Sequence, residues 1–176
     1  MKISIFTPTN NTTWLPDVWE SIKNESQDFE WLIGLNNGAD ASVIPEDPRI
    51  KQISLGPWKG VGDAKKRLCN LALGDIVLEL DHDDILAENA LTKVAEAFSD
   101  PEVGFVYSDT AEWIDATGEP FTYSEAYGWQ NYPCEIQGRK LKATVSKPAN
   151  ARNMCQILNA PNHLRAWRKS VYDSIG

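Results

Sequence analysis

A chain of 176 residues with 42% hydrophobic and 24% charged residues has enough apolar side chains for one substantial core. Its 25 acidic against 17 basic residues leave a net charge of −8, which speaks against a protein that lives on nucleic acid or anionic membrane. No run approaches the ~18 apolar residues of a membrane span; Met1 leads into strand-like sequence without a signal-peptide pattern, and the three cysteines lack CxxC or Cys/His spacing, so the expectation is a cytoplasmic protein with reduced thiols and no integral membrane segment.

The elements alternate. "ISIFTP" predicts a strand stopped by Pro8, and "NNTTWLPDVWESIKNES" a helix with Leu15, Val18, Trp19 and Ile22 on its apolar stripe. "FEWLIGLNNGAD" predicts a second strand ended by a turn at Asn37-Gly38, and "PRIKQISLG" a third. "GVGDAKKRLCNLALGD" has helical period through Ala64, Leu68, Leu71 and Ala72, closed by Gly74. "IVLEL" is the fourth strand, "AENALTKVAEAFSD" a helix and "EVGFVYSD" the fifth strand. This alternation predicts an α/β fold, a mostly parallel sheet with helices on both faces. In such sheets ligands bind beyond the carboxyl ends of the strands, where Thr7, Asn36, Asp81 and Asp109 all fall.

After Asp109 the pattern weakens. "TAEWIDATGEPFTYSEAYGWQNYP" predicts a hairpin turning at Thr117-Gly118, followed by aromatic-rich loops. "QGRKLKATVSKPANARNM" is basic and poor in apolar residues, as an exposed flexible segment would be. "NHLRAWRKSVYDSIG" predicts a last strand and a short helix. Seven tryptophans are more than packing needs; the readings are a flat platform for some and core or semi-buried packing for about two in three.

The chemistry concentrates in "GDIVLELDHDDILAENALTKV", where a buried strand runs into Asp81, Asp83 and Asp84 around His82. Carboxylates this close repel by roughly 1 kcal/mol or more per pair, so the cluster calls for a counter-charge. An Asp-x-Asp after a buried strand aims hard oxygen ligands at one point, which suits Mg²⁺ or Mn²⁺. The plainer alternative has Asp84 capping the next helix and Asp81 and Asp83 solvated. Lys65 has the same pair of readings, phosphate partner or solvated helix face shared with Lys66 and Arg67.

The arrangement resembles the family 2 glycosyltransferases, enzymes of GT-A fold that move a sugar from a nucleotide diphosphate. "SIFTPTNN" is similar to that family's opening strand with its Pro-Thr-x-Asn. "GDAKKRLCNLALGDIVLELDHDD" is similar to its Ala-Arg-Asn helix, Ala-x-Gly-Asp/Glu turn and Asp-x-Asp-Asp; "FVYSD" and "HLRAWRKSVYDSIG" resemble its later segments. The resemblance implies a single GT-A domain over residues 1–176, with a nucleotide-sugar half over about 1–109 and an acceptor-side region over about 110–176. It implies that Thr7, Pro8, Asn11, Asn36, Lys65, Asp81 and Asp83 hold the nucleotide sugar, and that Asp83 and Asp81 bind Mn²⁺ or Mg²⁺. A UDP-sugar is the expected donor and a carbohydrate or other hydroxyl compound the acceptor, with inversion at the transferred carbon. Where the family places Asp-Asp-Gly-Ser to accept the uracil N3 proton, this chain has Asn36-Asn37-Gly38-Ala39, so the base is open: an Asn carbonyl can accept that proton, or both residues serve only the turn.

Trp113, Trp129 and Tyr127 lie where the family builds acceptor sites, and His82 and His163 are the chain's two histidines, with His163 on the same acceptor side. In the resembling family the general base lies beyond a Gly-Gly-Phe-Asp segment that "DSIG" would begin. The base is therefore expected from a continuing segment or partner chain, with Asp109 the in-chain candidate ahead of Glu112 and Asp115. Two readings compete with transfer: a sugar-nucleotide-binding module with little activity, and a phosphohydrolase using Asp81 as nucleophile.

Overall fold

The computed structural model describes residues 1–157 and 161–175. In chain order the elements are β1 (Ile3–Thr9), α1 (Leu15–Ile22), β2 (Phe29–Asn36), β3 (Ile50–Gly56), α2 (Val61–Leu71), β4 (Ile76–Glu79), α3 (Ala90–Ala97) and β5 (Phe105–Tyr107). There follow β6 (Thr110–Trp113), β7 (Pro120–Phe121), β8 (Asn131–Ile136), β9 (Arg139–Thr144), α4 (Ala151–Gln156), β10 (Arg165–Arg168) and α5 (Lys169–Ile175). The chain forms two compact units: Met1–Val106 with Ala166–Gly176, and Tyr107–Arg165. Gly176, the end of the segment expected to open the family's last motif, lies outside the described residues.

The first unit is built on a six-stranded sheet in the order β3-β2-β1-β4-β10-β5. β1 runs parallel to both β2 and β4, and β2 parallel to β3. The backbone bonds Arg168 to Gly104 and Ser108 to Leu164 pair β10 and β5 in opposite directions, so the sheet is mostly parallel. Every residue of β1 and β4 is buried, as a parallel strand covered on both faces requires. Leu15, Val18, Trp19 and Ile22 are the buried face of α1, as their spacing predicts. From β1 the chain crosses to β2 and β3 on one side and then returns through α2 to β4 on the other. In open α/β sheets such a reversal marks a crevice outside the carboxyl ends of the strands, here β1 and β4, where ligands bind.

α2 departs from its predicted form. Ala64, Leu68 and Cys69 are buried, but Leu71 is half exposed, and the helix ends at Leu71 rather than at Gly74. Gly74 serves another purpose: a Cβ there would lie 2.7 Å from the Lys2 carbonyl oxygen and 2.8 Å from the Ser4 nitrogen, so only glycine lets this turn lie against β1. Burial pushes the Cys69 thiol up to about 11 against a bond with Tyr172, which makes it a core group. Trp19 and Trp31 stack 6.0 Å apart at 1° in the core, so these two tryptophans are packing residues rather than a platform.

Beneath this turn sits a buried carboxylate. Glu30 is 2% exposed and accepts from Ser4 Oγ at 2.6 Å, from the Leu73 N–H at 2.7 Å and from Lys51 Nζ, with Lys2 Nζ at 3.8 Å. Burial raises its pKa, but the bonds from Lys51, Ser4 and Leu73 and the charge of Lys2 outweigh it and hold the group below 4.5. A depressed carboxylate contributes stability above its unfolded value and loses it as the pH falls through its folded value. Glu30→Gln is therefore expected to cost about 2 kcal/mol at neutral pH. The gap from the parent should narrow below pH 4.5, as measured by urea unfolding across a pH series.

The second unit holds a four-stranded sheet in the order β7-β6-β9-β8, antiparallel at each pairing. The predicted hairpin is present, with Trp113 opposite Pro120 and Gly118 at φ 70°. The basic segment expected to be flexible is instead β9 and α4. Ile136 pairs with Arg139 across a two-residue turn in which Gln137 and Gly138 both have positive φ, 50° and 75°. Leu141 and Ala143 alternate inward from β9 and are buried. Among the described residues no helix is long and apolar enough to cross a membrane.

Candidate functional site

Each strand end at the crevice is fixed by its own side chains. Thr7, fully buried, donates its hydroxyl to the Leu80 carbonyl at 2.7 Å and accepts from Trp31 Nε1 at 2.9 Å. It thus joins the ends of β1 and β4 rather than presenting a group to solvent. Pro8 lies buried in β1, paired with Gly34 of β2. Past it, the Thr9 hydroxyl donates to the Asn11 carbonyl at 2.6 Å and accepts from the Asn11 N–H at 3.0 Å. The Asn11 side chain, exposed, accepts from the Thr13 hydroxyl at 2.6 Å and the Thr13 N–H at 3.1 Å. Such local side-chain bonds give a loop one shape before a ligand arrives.

The two asparagines at the end of β2 divide their work. Asn36 is buried, and its Nδ2 points to the carbonyls of Thr9 at 3.4 Å and Gly34 at 3.5 Å, weak bonds that nonetheless direct its amide N–H groups at backbone. Asn37 takes the left-handed turn conformation at φ 52°, and its Oδ1 accepts the Trp58 N–H at 2.9 Å. The turn is thus the work of Asn37 with Gly38, at φ 71°. Asn36 keeps its Oδ1 as the acceptor of its amide.

At the end of β4 the structure adds a residue that the sequence reading passed over. Glu79 is 4% exposed, and Lys65 of α2 reaches it in an ion pair while standing 3.5 Å from Asp81 Oδ1. The signal was present: one acid inside the apolar run "IVLEL" needs a cation, and the half-buried Lys65 lies one helix turn into the preceding helix. Lys66 by contrast is exposed. Asp84 donates its backbone N–H to the Asp81 carbonyl at 3.2 Å, which turns the chain sharply after the strand. Asp83 is exposed, and among the described residues no hydrogen bond or ion pair reaches its carboxylate. His82 is half-buried between the two acids.

The remaining predicted residues belong to the second unit. Asp109 uses both carboxylate oxygens inside it: Oδ2 accepts the Tyr132 hydroxyl at 3.0 Å and Oδ1 accepts the Ser146 N–H at 2.8 Å. Burial, with Asp109 as hydrogen-bond partner and neighbouring charge, raises the Tyr132 pKa. Trp113 donates Nε1 to Asp115 at 3.1 Å and carries the Arg139 guanidinium over its ring at 5.1 Å. Trp129 packs against Tyr123 at 4.9 Å and has Lys147 Nζ over its ring at 4.9 Å, whereas Tyr127 is 84% exposed. His163 offers its backbone carbonyl to Thr110 Oγ1 at 2.7 Å, and its Nε2 faces Arg165. Glu112 receives the Asn162 amide at 3.3 Å.

Thr7, Pro8, Asn11, Asn36, Lys65, Asp81 and Asp83 are thus all set in the first unit, at or beside the carboxyl ends of its parallel strands. Known proteins share the fold that carries them. The chain matches the amino-terminal part, residues 1–349, of TarS from S. aureus with a TM-score of 0.66, at 15% identity over 99% of this chain and 49% of that one. The same protein solved with UDP-GlcNAc gives 0.65 at 14% identity, over 99% and 47%. The 4-diphosphocytidyl-2C-methyl-D-erythritol synthase of Anaerococcus prevotii gives 0.56 at 10%, over 98% and 72%. At these identities the likeness is one of fold, and the fold is GT-A. In sequence, an N-acetylglucosaminyltransferase of Bradyrhizobium elkanii is 36% identical over 64 residues, 35% of this chain and 34% of that protein. The chain therefore spans about a third of the length of this curated relative and about half of the TarS chain. The model of glycosyl transferase family 2 matches residues 4–155, from β1 through α4 and so across most of both units; the chain belongs to that family.

Proposed function

We propose that this chain binds a uridine diphosphate sugar at the crevice beyond β1 and β4 and transfers the sugar, with inversion, to a hydroxyl-bearing acceptor, using Mn²⁺ or Mg²⁺ at Asp83 and Asp81. The observation that carries the reading is Asp83, an exposed acid without a protein partner among the described residues, two positions past Asp81 at the strand end beside the sheet's switch point. The donor set fits the ion: hard carboxylate oxygens, few in number, leave positions for phosphate oxygens. When bound, the metal supplies Lewis-acid stabilisation to the departing nucleoside diphosphate.

The chain's own residues would position the donor. The Thr9–Asn11–Thr13 turn presents a fixed loop to the nucleotide, and Asn36, its amide N–H groups turned to backbone, offers Oδ1 to the uracil N3–H. A uridine donor is favoured by the relative named an N-acetylglucosaminyltransferase and by the TarS structures solved with UDP-GlcNAc and UDP. Asn36→Asp is expected to raise the UDP-over-GDP affinity ratio severalfold, because an ionised carboxylate is an acceptor only. Calorimetric titration of both nucleotides against parent and variant checks this, and an unchanged ratio means that Asn36 does not read the base.

One observation favours a second reading, a donor-binding module that transfers slowly. Asp109, the in-chain candidate for the general base, has both oxygens engaged by Tyr132 and Ser146. On that reading the base comes from a partner chain or from sequence outside these residues, and its absence removes about 10²–10⁴-fold in rate. The test is a transfer assay with UDP-GlcNAc, Mn²⁺ and a panel of saccharide acceptors. Turnover that survives in the parent and falls by that factor in Asp109→Asn supports transfer with Asp109 as base. Nucleotide binding without turnover supports the module.

A further inference from the structure

We propose that Lys65 is a built-in counter-cation that competes with a divalent ion for Asp81, and that buried Glu79 is the positioning residue that keeps it there. The inference rests on reading Asp81 and Asp83 as the metal acids. It starts from Glu79, which is 4% exposed in a strand whose other members, Ile76, Val77 and Leu78, are fully buried apolar residues. A carboxylate is kept in such a place only against a partner, because its desolvation is otherwise too costly. The Lys65 ammonium is such a partner.

The same ammonium stands 3.5 Å from Asp81 Oδ1. A lysine has a flexible stem with several rotatable bonds, and on an exposed helix face it would spend little time on any one acid. Here one bond runs to a group fixed in the central sheet, so the ammonium cannot leave Asp81 without also loosening its hold on Glu79. The acids Glu79, Asp81 and Asp83 carry a charge of about −3, of which Lys65 cancels one unit. An ammonium at Asp81 and a divalent cation at Asp81 repel, so each weakens the other's hold. Linkage makes that antagonism reciprocal.

The competition has two consequences. The acids are partly neutralised before any metal arrives, which relieves the repulsion that a crowded strand end would otherwise carry. Asp83 is left as the open point of first contact for the ion, and Asp81 joins only as Lys65 yields.

The experiment titrates Mn²⁺ alone, without nucleotide, against the full chain and follows free Mn²⁺ by electron paramagnetic resonance. Lys65→Gln is expected to tighten Mn²⁺ binding about tenfold, and Lys65→Arg, which keeps the cation, to behave like the parent. Glu79→Gln removes the anchor, so the affinity gained by Lys65→Gln should be smaller in the Glu79→Gln background than in the parent. If Lys65→Gln leaves Glu79 unpaired and fails to fold, the double variant Lys65→Gln, Glu79→Gln carries the test: its net charge equals the parent's but no ammonium sits on Asp81, so Mn²⁺ should again bind more tightly. Parent-like affinity in the foldable Lys65→Gln or double variant, or no Mn²⁺ binding by any protein, overturns the proposal. UDP titrations of the same proteins separate it from the functional reading. Shifted Mn²⁺ affinities without UDP binding keep the counter-cation and reject the transferase; Mn²⁺-dependent UDP binding with unshifted affinities does the reverse.

Discussion

Asp83→Ala is expected to abolish Mn²⁺-dependent binding of UDP, weakening it by about a hundredfold or more, while the melting temperature stays at or slightly above that of the parent. The two halves of this expectation come from the same placement. Asp83 is exposed and contributes no packing, so its removal leaves no cavity and no orphaned partner. It also stands among like charges, and deleting one of several acids at a strand end relieves repulsion. A metal bound through few protein oxygens, in contrast, loses much of its affinity with any one of them. Calorimetry of UDP with and without Mn²⁺, run beside thermal unfolding, reads both halves at once. Equal Mn²⁺-dependent binding by variant and parent would remove Asp83 from the metal site.

The largest stability effect is expected at Gly74. Gly74→Ala would place a methyl group 2.7 Å from the Lys2 carbonyl oxygen and 2.8 Å from both the Ser4 nitrogen and its hydroxyl, and the first two are backbone atoms that cannot rotate away. The Ser4 hydroxyl is moreover the acceptor for the Gly74 N–H and the donor to Glu30, so displacing it disturbs a buried carboxylate. The expected loss is about 3 kcal/mol. For a chain of this size that lowers the melting temperature by about 10 °C. By comparison Gly34→Ala meets only the flexible ends of Leu55 and Leu68 and is expected to cost less. Differential scanning calorimetry of both variants checks the order as well as the size.

The parts of the fold readable from sequence were those with strong periodicity. The stripe Leu15, Val18, Trp19, Ile22 and the unbroken apolar runs of β1 and β4 leave little choice of structure, and the alternation of elements then calls for a parallel sheet. The second unit was harder to read because its signals are weak one at a time. β9 alternates only Leu141 and Ala143 against charged neighbours, and its turn uses Gln137 at positive φ, where glycine, asparagine or aspartate would have announced a hairpin. The last turn of α2 illustrates a different limit. A helix wheel places Leu71 on the apolar stripe, yet Cys69 fills the core and Leu71 is left half exposed.

At the site, the acids after β4 stand out in the sequence, and the structure places Asp81 and Asp83 at the crevice. Glu79 was hidden because a single acid in a strand of four buried residues looks like one more member of an apolar run. Its meaning appears only with Lys65, which lies fourteen positions earlier in the chain and reaches it only in the folded state. Thr7 shows the opposite case. It was singled out for its place at a strand end, and the structure finds its hydroxyl bonded on both sides within the core.

The most direct test of a nucleotide sugar at the carboxyl ends of β1 and β4 is to map UDP, with Mg²⁺, onto the backbone amides by nuclear magnetic resonance. The account predicts shifts clustered at Thr9 to Thr13, Asn36 to Gly38 and Asp81 to Asp84, growing with Mg²⁺ and absent in Asp83→Ala. Shifts confined to other parts of the chain, or no shifts at millimolar UDP and Mg²⁺, would contradict it.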